Sequence, residues 1–397
     1  MTQPYLKILC WLSVVLSCTI SVSVHAANAL LDMSLEELMQ VKIPSSTPTD
    51  ESLQTVPSSI TVFTRADIRR LGLQNLPQLV NLVPGYQGNR SDFSSQSQGV
   101  SSRGRRLGSV GNEVLVLIDG QRLNNDWSGS ANQDDSLISL ENVARVEFIR
   151  GPGSAIYGSN AVMGVINIIT GGARELVLES GSYGRRHLSA QWQWQGEAGR
   201  MTLSASKTEA SGQQVTIYEP FPSPATPVYM KTRDPLDAED LYLQAELGDF
   251  SLNARFAQRA MEQFYVSGFV DNESNLSTTD SNSINLGWRR EFAQGIKLEG
   301  HLFNSHKAFN LRTAASLMPY LIIDGGVQEQ ELGAEWLLQG QYHESHWLFG
   351  WEWRNPILVN TDAQLGPPEN PRQFNLPQAP EDGRTIHGLF GQYQTTL

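Results

Sequence analysis

The chain of 397 residues contains only two cysteines, Cys10 and Cys18, and both fall in its first 26 residues. Those residues read as an export signal. Lys7 precedes an apolar run from Ile8 to Val24, and Val24-His25-Ala26 places small residues at the two positions a signal peptidase reads. A membrane anchor is the alternative, but the run is short against the ~20 apolar residues of a spanning helix. A lipid-attachment reading at Cys18 is weakened because Leu16 stands one place too close to it. Once residues 1–26 are removed the chain has no cysteine, which excludes disulfides, thiolate metal sites and thiol nucleophiles together.

Positive charge is also scarce. Lys and Arg number 29 against 41 Asp and Glu, for a net charge of −12. A nucleic-acid partner would need a basic stripe and is not expected. Charged residues of both signs make up 18% of the chain, below the ~25% of soluble domains. No later segment has the length of a spanning helix, so any membrane crossing after export requires a barrel. Aromatics are plentiful, with 9 Trp, 11 Tyr and 14 Phe; a disordered chain has few.

Residues up to about 170 mix helical and strand patterns. Thr64-Arg65-Ala66-Asp67 resembles a capping box, and Ile68 and Leu71 supply an apolar helix face closed by Gly72. Asn75 can cap a second short helix carrying Leu76, Leu79, Val80 and Val83, stopped by Pro84-Gly85. Ile60 with Val62, the run Val114 to Ile118, the segment 142–149 and Val165 to Ile169 read as strands, with Asp119-Gly120 as a turn. This describes a small α+β globule.

Beyond residue 170 the period becomes two. Leu188, Ala190, Trp192 and Trp194 alternate with polar residues. So do Leu241, Leu243 and Ala245; Leu252, Ala254 and Phe256; Ile284, Leu286 and Trp288; Leu332, Ala334 and Trp336; and Trp347, Phe349 and Trp351. About ten such segments, with Trp near their ends, fit an antiparallel transmembrane β-barrel with one face to lipid and one to a polar lumen. A soluble β-sandwich alternates in the same way and is the competing reading. Short turns are expected near 181–184, 196–199, 248–249, 292–295 and 343–345, and long loops near 209–239, 264–282, 310–326 and 355–384. Beyond the first connection, tight turns alternate with long loops, as periplasmic turns and outside loops do in outer-membrane barrels.

The segment 57–170 resembles the plug of TonB-dependent outer-membrane receptors. The resemblance is carried by PSSITVFTRADIRRLGLQNLPQLVNLVPGY (57–86), SSRG (101–104), EVLVLIDGQRLN (113–124) and ENVARVEFIRGPGSAIYGSNAVMGVINIIT (141–170). DMSLEELMQVKI (32–43) is similar to a lead-in found in one branch of that family. The implied architecture is an α+β plug domain inside a transmembrane antiparallel β-barrel. It divides into a signal peptide (1–26), a periplasmic lead-in (27–56), the plug (57–170) and a partial barrel (171–397). A plugged lumen takes about 22 strands, so about ten imply a truncated or incomplete wall.

The resemblance also implies the function and the sites. It implies energy-coupled import, across the outer membrane, of a scarce solute such as a ferric siderophore, haem, cobalamin or another metal chelate. The partners would be outer-membrane lipid and the TonB protein with its inner-membrane energising complex. TonB would contact Val41, Lys42 and Ile43, where alternation fits strand addition; an acidic-Thr-Val-Val-Thr-like box is not evident, and Pro44 limits the strand. Ligand contacts would fall on plug loops 86–100 and 123–135, at Tyr86, Arg90, Phe93 and Trp127. Arg103, Glu147 and Arg150 would join plug to barrel. The alternative function is an outer-membrane binding or adhesion protein without transport.

No enzyme is expected, and no resident metal or cofactor. GPGSAIYG (151–158) lacks the Lys-Ser/Thr of a phosphate loop. His343-Glu344-Ser345-His346 spaces its histidines too closely for a zinc helix. Asp126, Asp134 and Asp135 lack calcium-loop spacing. A secreted β-rich enzyme is therefore the weakest alternative.

Overall fold

The computed structural model describes residues 59–395 apart from 92–93, 105–111, 132–137, 152–156, 172–173, 220–227, 232–234, 263–275, 293–294, 316–317, 343–344, 368–369, 371, 373 and 376–381. The expected signal, lead-in and TonB-contact residues Val41, Lys42 and Ile43 lie outside the described residues, as does Phe93.

The first part builds one mixed sheet and two short helices. Strand β1 (Ser59–Thr64) leads into helix α1 (Arg65–Leu71), and α2 (Leu76–Val80) follows. A hairpin, β2 (Tyr86–Ser91) and β3 (Ser94–Ser102), stands apart as its own two-stranded sheet. Then come β4 (Val114–Ile118), β5 (Gln121–Arg122), β6 (Val143–Arg150) and β7 (Gly164–Thr170), arranged β1-β6-β7-β4-β5 with β4 and β7 parallel.

Local chemistry accounts for the helices. The Thr64 hydroxyl accepts from the Asp67 amide while the Asp67 carboxylate accepts from the Thr64 amide, a complete capping box. Gly72 closes α1 at φ 65°, a left-handed cap that glycine takes without a Cβ penalty. Asn75 caps α2 through the Gln78 amide. Ile68, Leu76, Leu79 and Val80 then pack on one face of the sheet against Val114, Val116, Val146, Phe148, Ile166 and Ile168. Leu115, Leu117, Ile149 and Val165 form a second cluster on the other face. β4 is therefore buried on both sides, which is why its sequence is continuously apolar instead of alternating.

The second part is one antiparallel meander. Its members are β8 (Glu175–Ser180), β9 (Arg186–Gly196), β10 (Gly199–Ala210), β13 (Leu236–Leu247), β14 (Phe250–Glu262), β15 (Leu276–Glu291), β16 (Lys297–Ala315), β17 (Met318–Tyr342), β18 (Ser345–Gly366) and β21 (Ile386–Thr395). β11 (Thr216–Glu219) and β12 (Val228–Lys231) form a side hairpin in the long connection after β10. The two-residue segments β19 (Phe374–Asn375) and β20 (Asp382–Gly383) pair with β18. Among the described residues the sheet is open, β8 and β21 each being paired on one side only.

The polarity of this wall is the reverse of a soluble sheet. Leu176, Trp192, Trp194, Leu241, Phe256, Leu286, Leu302, Leu332, Trp336, Phe349 and Leu389 are exposed. Ser189, Gln191, Thr202, Ser204, Asp240, Arg255, Thr279, Lys307, Glu331 and Arg354 are buried. A sandwich would hide the tryptophan-bearing faces against each other. Here they face outward and the polar faces are covered, as period-two alternation in a lipid-facing barrel requires. Among the described residues no helix is long and apolar enough to cross a membrane.

The described residues of the expected long loop at 310–326 are strand instead, and the long connection expected at 355–384 begins only after Gly366, where β18 ends. β16, β17 and β18 run 19, 25 and 22 residues, about twice the 9–11 that cross a bilayer. The polar residues that suggested loop are cross-strand partners. Arg312 lies directly opposite Asp324, and their side chains pair at 2.8 Å. The ladder therefore continues as a hairpin beyond the membrane-crossing length.

Candidate functional site: the junction between plug and wall

The plug meets the wall at three levels, reached in turn across the meander at β8–β9, at β13 and at β16–β18. At the first, Arg65 of α1 donates to the Gln191 carboxamide of β9 at 2.9 Å. Arg69 pairs with Glu175 at the start of β8 and, at 3.5 Å, with Glu141 of the plug. Gln191 in turn donates to the Glu141 carbonyl.

The middle level is built on the turn between β4 and β5. Asp119 and Gly120 both hold positive φ, 47° and 81°, the two-residue geometry that Asp-Gly sequences favour. This geometry turns the Asp119 carboxylate toward Thr170, whose amide donates at 2.9 Å and whose hydroxyl donates at 2.6 Å. The Tyr242 hydroxyl of β13 donates to the same carboxylate from the wall. Burial pushes the Asp119 carboxyl above the usual carboxylate range, while the bonds from Thr170 and Tyr242 oppose the shift.

The third level is the most highly charged. The strand after the turn brings Arg122 against the carbonyls of Tyr157 and Ser159 and the Asn160 side chain, at 3.0, 2.7 and 3.1 Å. Burial lowers its guanidinium to about 10, still a cation at neutral pH. The following residues are seized by the wall. Lys307 of β16, buried, donates to the carbonyls of Leu123 and Asn124 at 2.9 and 3.2 Å. Glu329 of β17 accepts from the Asp126 amide at 2.7 Å and the Trp127 amide at 3.3 Å. Arg354 of β18, 2% exposed, bridges Glu331 of the wall at 2.5 Å and Asp126 of the plug at 2.8 Å. Arg384 reaches Asp126 from the more exposed side. The Trp127 ring stacks on Phe309, centroids 6.4 Å apart and planes 18° apart.

A bulge positions this level. The β17–β18 register slips at Gln328/Glu329, which leaves Val359 as the extra residue on β18. Bulges re-aim side chains, and this one lies at Glu329, which grips the plug backbone.

The expected site residues divide. Trp127 stands at the third level, 38% exposed. Arg90 lies in β2. Tyr86 is corrected: it is buried, its hydroxyl donates to the Ile149 carbonyl at 3.1 Å, and its ring packs edge-on to Phe148. It is a core residue because β2 starts directly over the plug sheet. The expected plug–barrel residues have partners within the plug. Glu147 is held inside the plug by Arg145 at 2.7 Å and Asn167 at 2.8 Å, and Arg150 donates to the Pro84 carbonyl at 3.3 Å. Arg103 is exposed at a turn with φ 54°, and none of the described residues ties it to the wall. Among the described residues the contacts to the wall run through Arg65, Arg69, Asp119 and Asp126 of the plug and, on the wall, chiefly Tyr242, Lys307, Glu329 and Arg354. Period two already put the last four on the polar face, but which of them meet the plug depends on where its loops arrive.

The fold has counterparts among known proteins. Residues 52–165 match the family model described as the TonB-dependent Receptor Plug Domain. Residues 52–165 are a plug domain of that family, joined in this chain to a wall that shares its fold with solved receptor barrels. The unliganded ferric citrate transporter FecA superposes with a TM-score of 0.66 at 14% identity, covering 87% of this chain and 55% of FecA. A double mutant of the ferric enterobactin receptor PfeA from Pseudomonas aeruginosa gives 0.64 at 16%, covering 87% and 56%. The alcaligin outer-membrane receptor FauA from Bordetella pertussis gives 0.58 at 16%, covering 89% and 55%. At these identities the likeness is one of fold. The chain spans about half the length of the structures it matches.

Proposed function

We propose that this protein acts in the outer membrane as a TonB-dependent receptor for energy-coupled import of a scarce metal chelate of the ferric-siderophore class. The observation that carries the reading is a plug clasped to a lipid-facing wall by buried polar contacts. A pore filler held this way can be shifted by exchanging polar partners, without exposing a large apolar core to water. A ligand touching Trp127 bears directly on the Asp126 clasp, since Glu329 accepts from both backbone amides. That adjacency provides a physical route from binding to loosening of the plug. The solved receptors for ferric citrate, ferric enterobactin and alcaligin that share the fold support the ligand class. Val41, Lys42 and Ile43 are the proposed handle for TonB, which would draw on the inner-membrane proton gradient to pull.

The test is uptake of radiolabelled ferric chelates by cells whose import depends on the full-length protein. Accumulation should stop when the proton gradient is collapsed or when Ile43→Pro blocks strand addition at the handle. Accumulation that continues in de-energised cells would refute active import. Surface retention without entry, unchanged by loss of TonB, would favour the binding or adhesion reading.

A further inference from the structure

The outward face of the wall carries a charged side chain in an otherwise apolar row. The ladder registers set Arg290, Leu298, Leu338, Phe349 and Gly391 opposite one another on β15, β16, β17, β18 and β21. The adjoining row, farther from the tight turns, is Trp288, Gly300, Trp336, Trp351 and Leu389. Leu338, Phe349, Trp336 and Leu389 are exposed, so both rows face outward. Gly391 leaves the surface low between these side chains. The result is a groove of about 520 Å³ walled chiefly by Leu298, Trp336, Leu338, Phe349, Trp351 and Leu389.

Arg290 is exposed, and among the described residues no carboxylate pairs with it. It stands directly across from Leu298, which lines the groove. Phe292, Trp347 and Tyr393 lie on the turn side of this row and Trp288 on the other. The guanidinium therefore sits at the depth of the aromatic girdle, where barrel aromatics meet headgroups and where a lipid-facing arginine is tolerated. Its long stem can lie along apolar surface while the charge reaches polar surroundings.

We propose that this face is a glycerophospholipid site, with the anionic phosphate on Arg290 and one acyl chain along the groove. The inference rests on the membrane reading of the wall. A soluble polar solute has nothing to bond in the groove, and a hydrocarbon lacks a partner for the cation. An amphiphile with an acidic head satisfies both, and guanidinium matches phosphate geometry with two parallel hydrogen bonds. The site lies toward the tight turns, which places it in the leaflet opposite the long connections.

The full chain, extracted in mild detergent, can be exposed to phosphatidylglycerol, to diacylglycerol with the same tails, or to inorganic phosphate, and read by native mass spectrometry. Phosphatidylglycerol should be retained and the other two should not, because each supplies half of the contact. Arg290→Gln should weaken retention about tenfold, the loss of one charge-assisted contact, and Arg290→Lys should recover part of it. Gly391→Leu fills the groove from β21 in ordinary extended backbone and should abolish retention, with circular dichroism confirming an intact sheet. Equal retention by the native chain and a folded Arg290→Gln variant would overturn the site while leaving the wall in the membrane. Phosphate binding without a lipid preference would also overturn it. A chain that stays dissolved without detergent and holds no lipid would overturn the membrane reading itself.

Discussion

Asp126 is bound by two arginines that differ in burial and in the other carboxylates they hold, and those differences predict unequal consequences. The Arg354 side chain is 2% exposed and also neutralises Glu331, which is 3% exposed; the Arg384 side chain is 60% exposed. Removing one partner of a buried pair leaves an uncompensated charge and costs roughly 3–5 kcal/mol. An exposed pair is screened and worth at most about 1 kcal/mol. Arg354→Ala should therefore raise the population with the plug undocked by about two to three and a half decades, and Arg384→Ala by less than about one. The assay is limited proteolysis of the plug in detergent, under conditions where nicking tracks the open population. A heat-modifiability gel would verify that the wall remains folded. A double-mutant cycle with Asp126→Asn isolates the Arg354–Asp126 coupling from the Glu331 contribution. If Arg384→Ala proves as damaging as Arg354→Ala, burial is not what makes this junction strong, and the clasp argument is wrong.

Other outcomes follow from the same geometry. Lys307→Met strands the Leu123 and Asn124 carbonyls that now accept from it; it should cost about 1–3 kcal/mol of plug docking, read as faster hydrogen exchange at 123–125. Asp119 carries a raised carboxyl, so the docked state holds its proton more tightly than the released state. Docking should weaken as pH rises from the ordinary carboxylate value of about 4 through the folded value, and Asp119→Asn should flatten that part of the proteolysis profile. A profile unchanged by the substitution would show that another group sets it. A Cβ at Gly164 would overlap the Tyr86 hydroxyl and the Ile149 carbonyl. Gly164→Ala should therefore lower the midpoint of plug unfolding, whereas Tyr86→Phe should cost only about 1 kcal/mol, the worth of one hydrogen bond.

Much of the architecture can be read in one dimension because it is set by local chemistry. The Thr64 box, the Asn75 cap, the Asp119-Gly120 turn and the doubly buried run 114–118 each declare themselves within a few residues. Alternation in the second half likewise assigns every strand an inside and an outside. It leaves open whether the apolar side meets lipid or another sheet, since both demand the same period; the outward exposure of Trp192, Trp194 and Trp336 settles that. The junction was far less legible. Glu147 and Arg150 look like docking charges in sequence, yet they are used inside the plug, and Tyr86 looks like a loop aromatic yet fills its core. Asp126, Lys307, Glu329 and Arg354 come from segments some 180 or more residues apart on either side of the junction. Their pairing depends on where a plug loop arrives against a bulged strand. Period and capping are properties of neighbours in the chain; a salt bridge between a loop and a distant wall exists only once both have been placed.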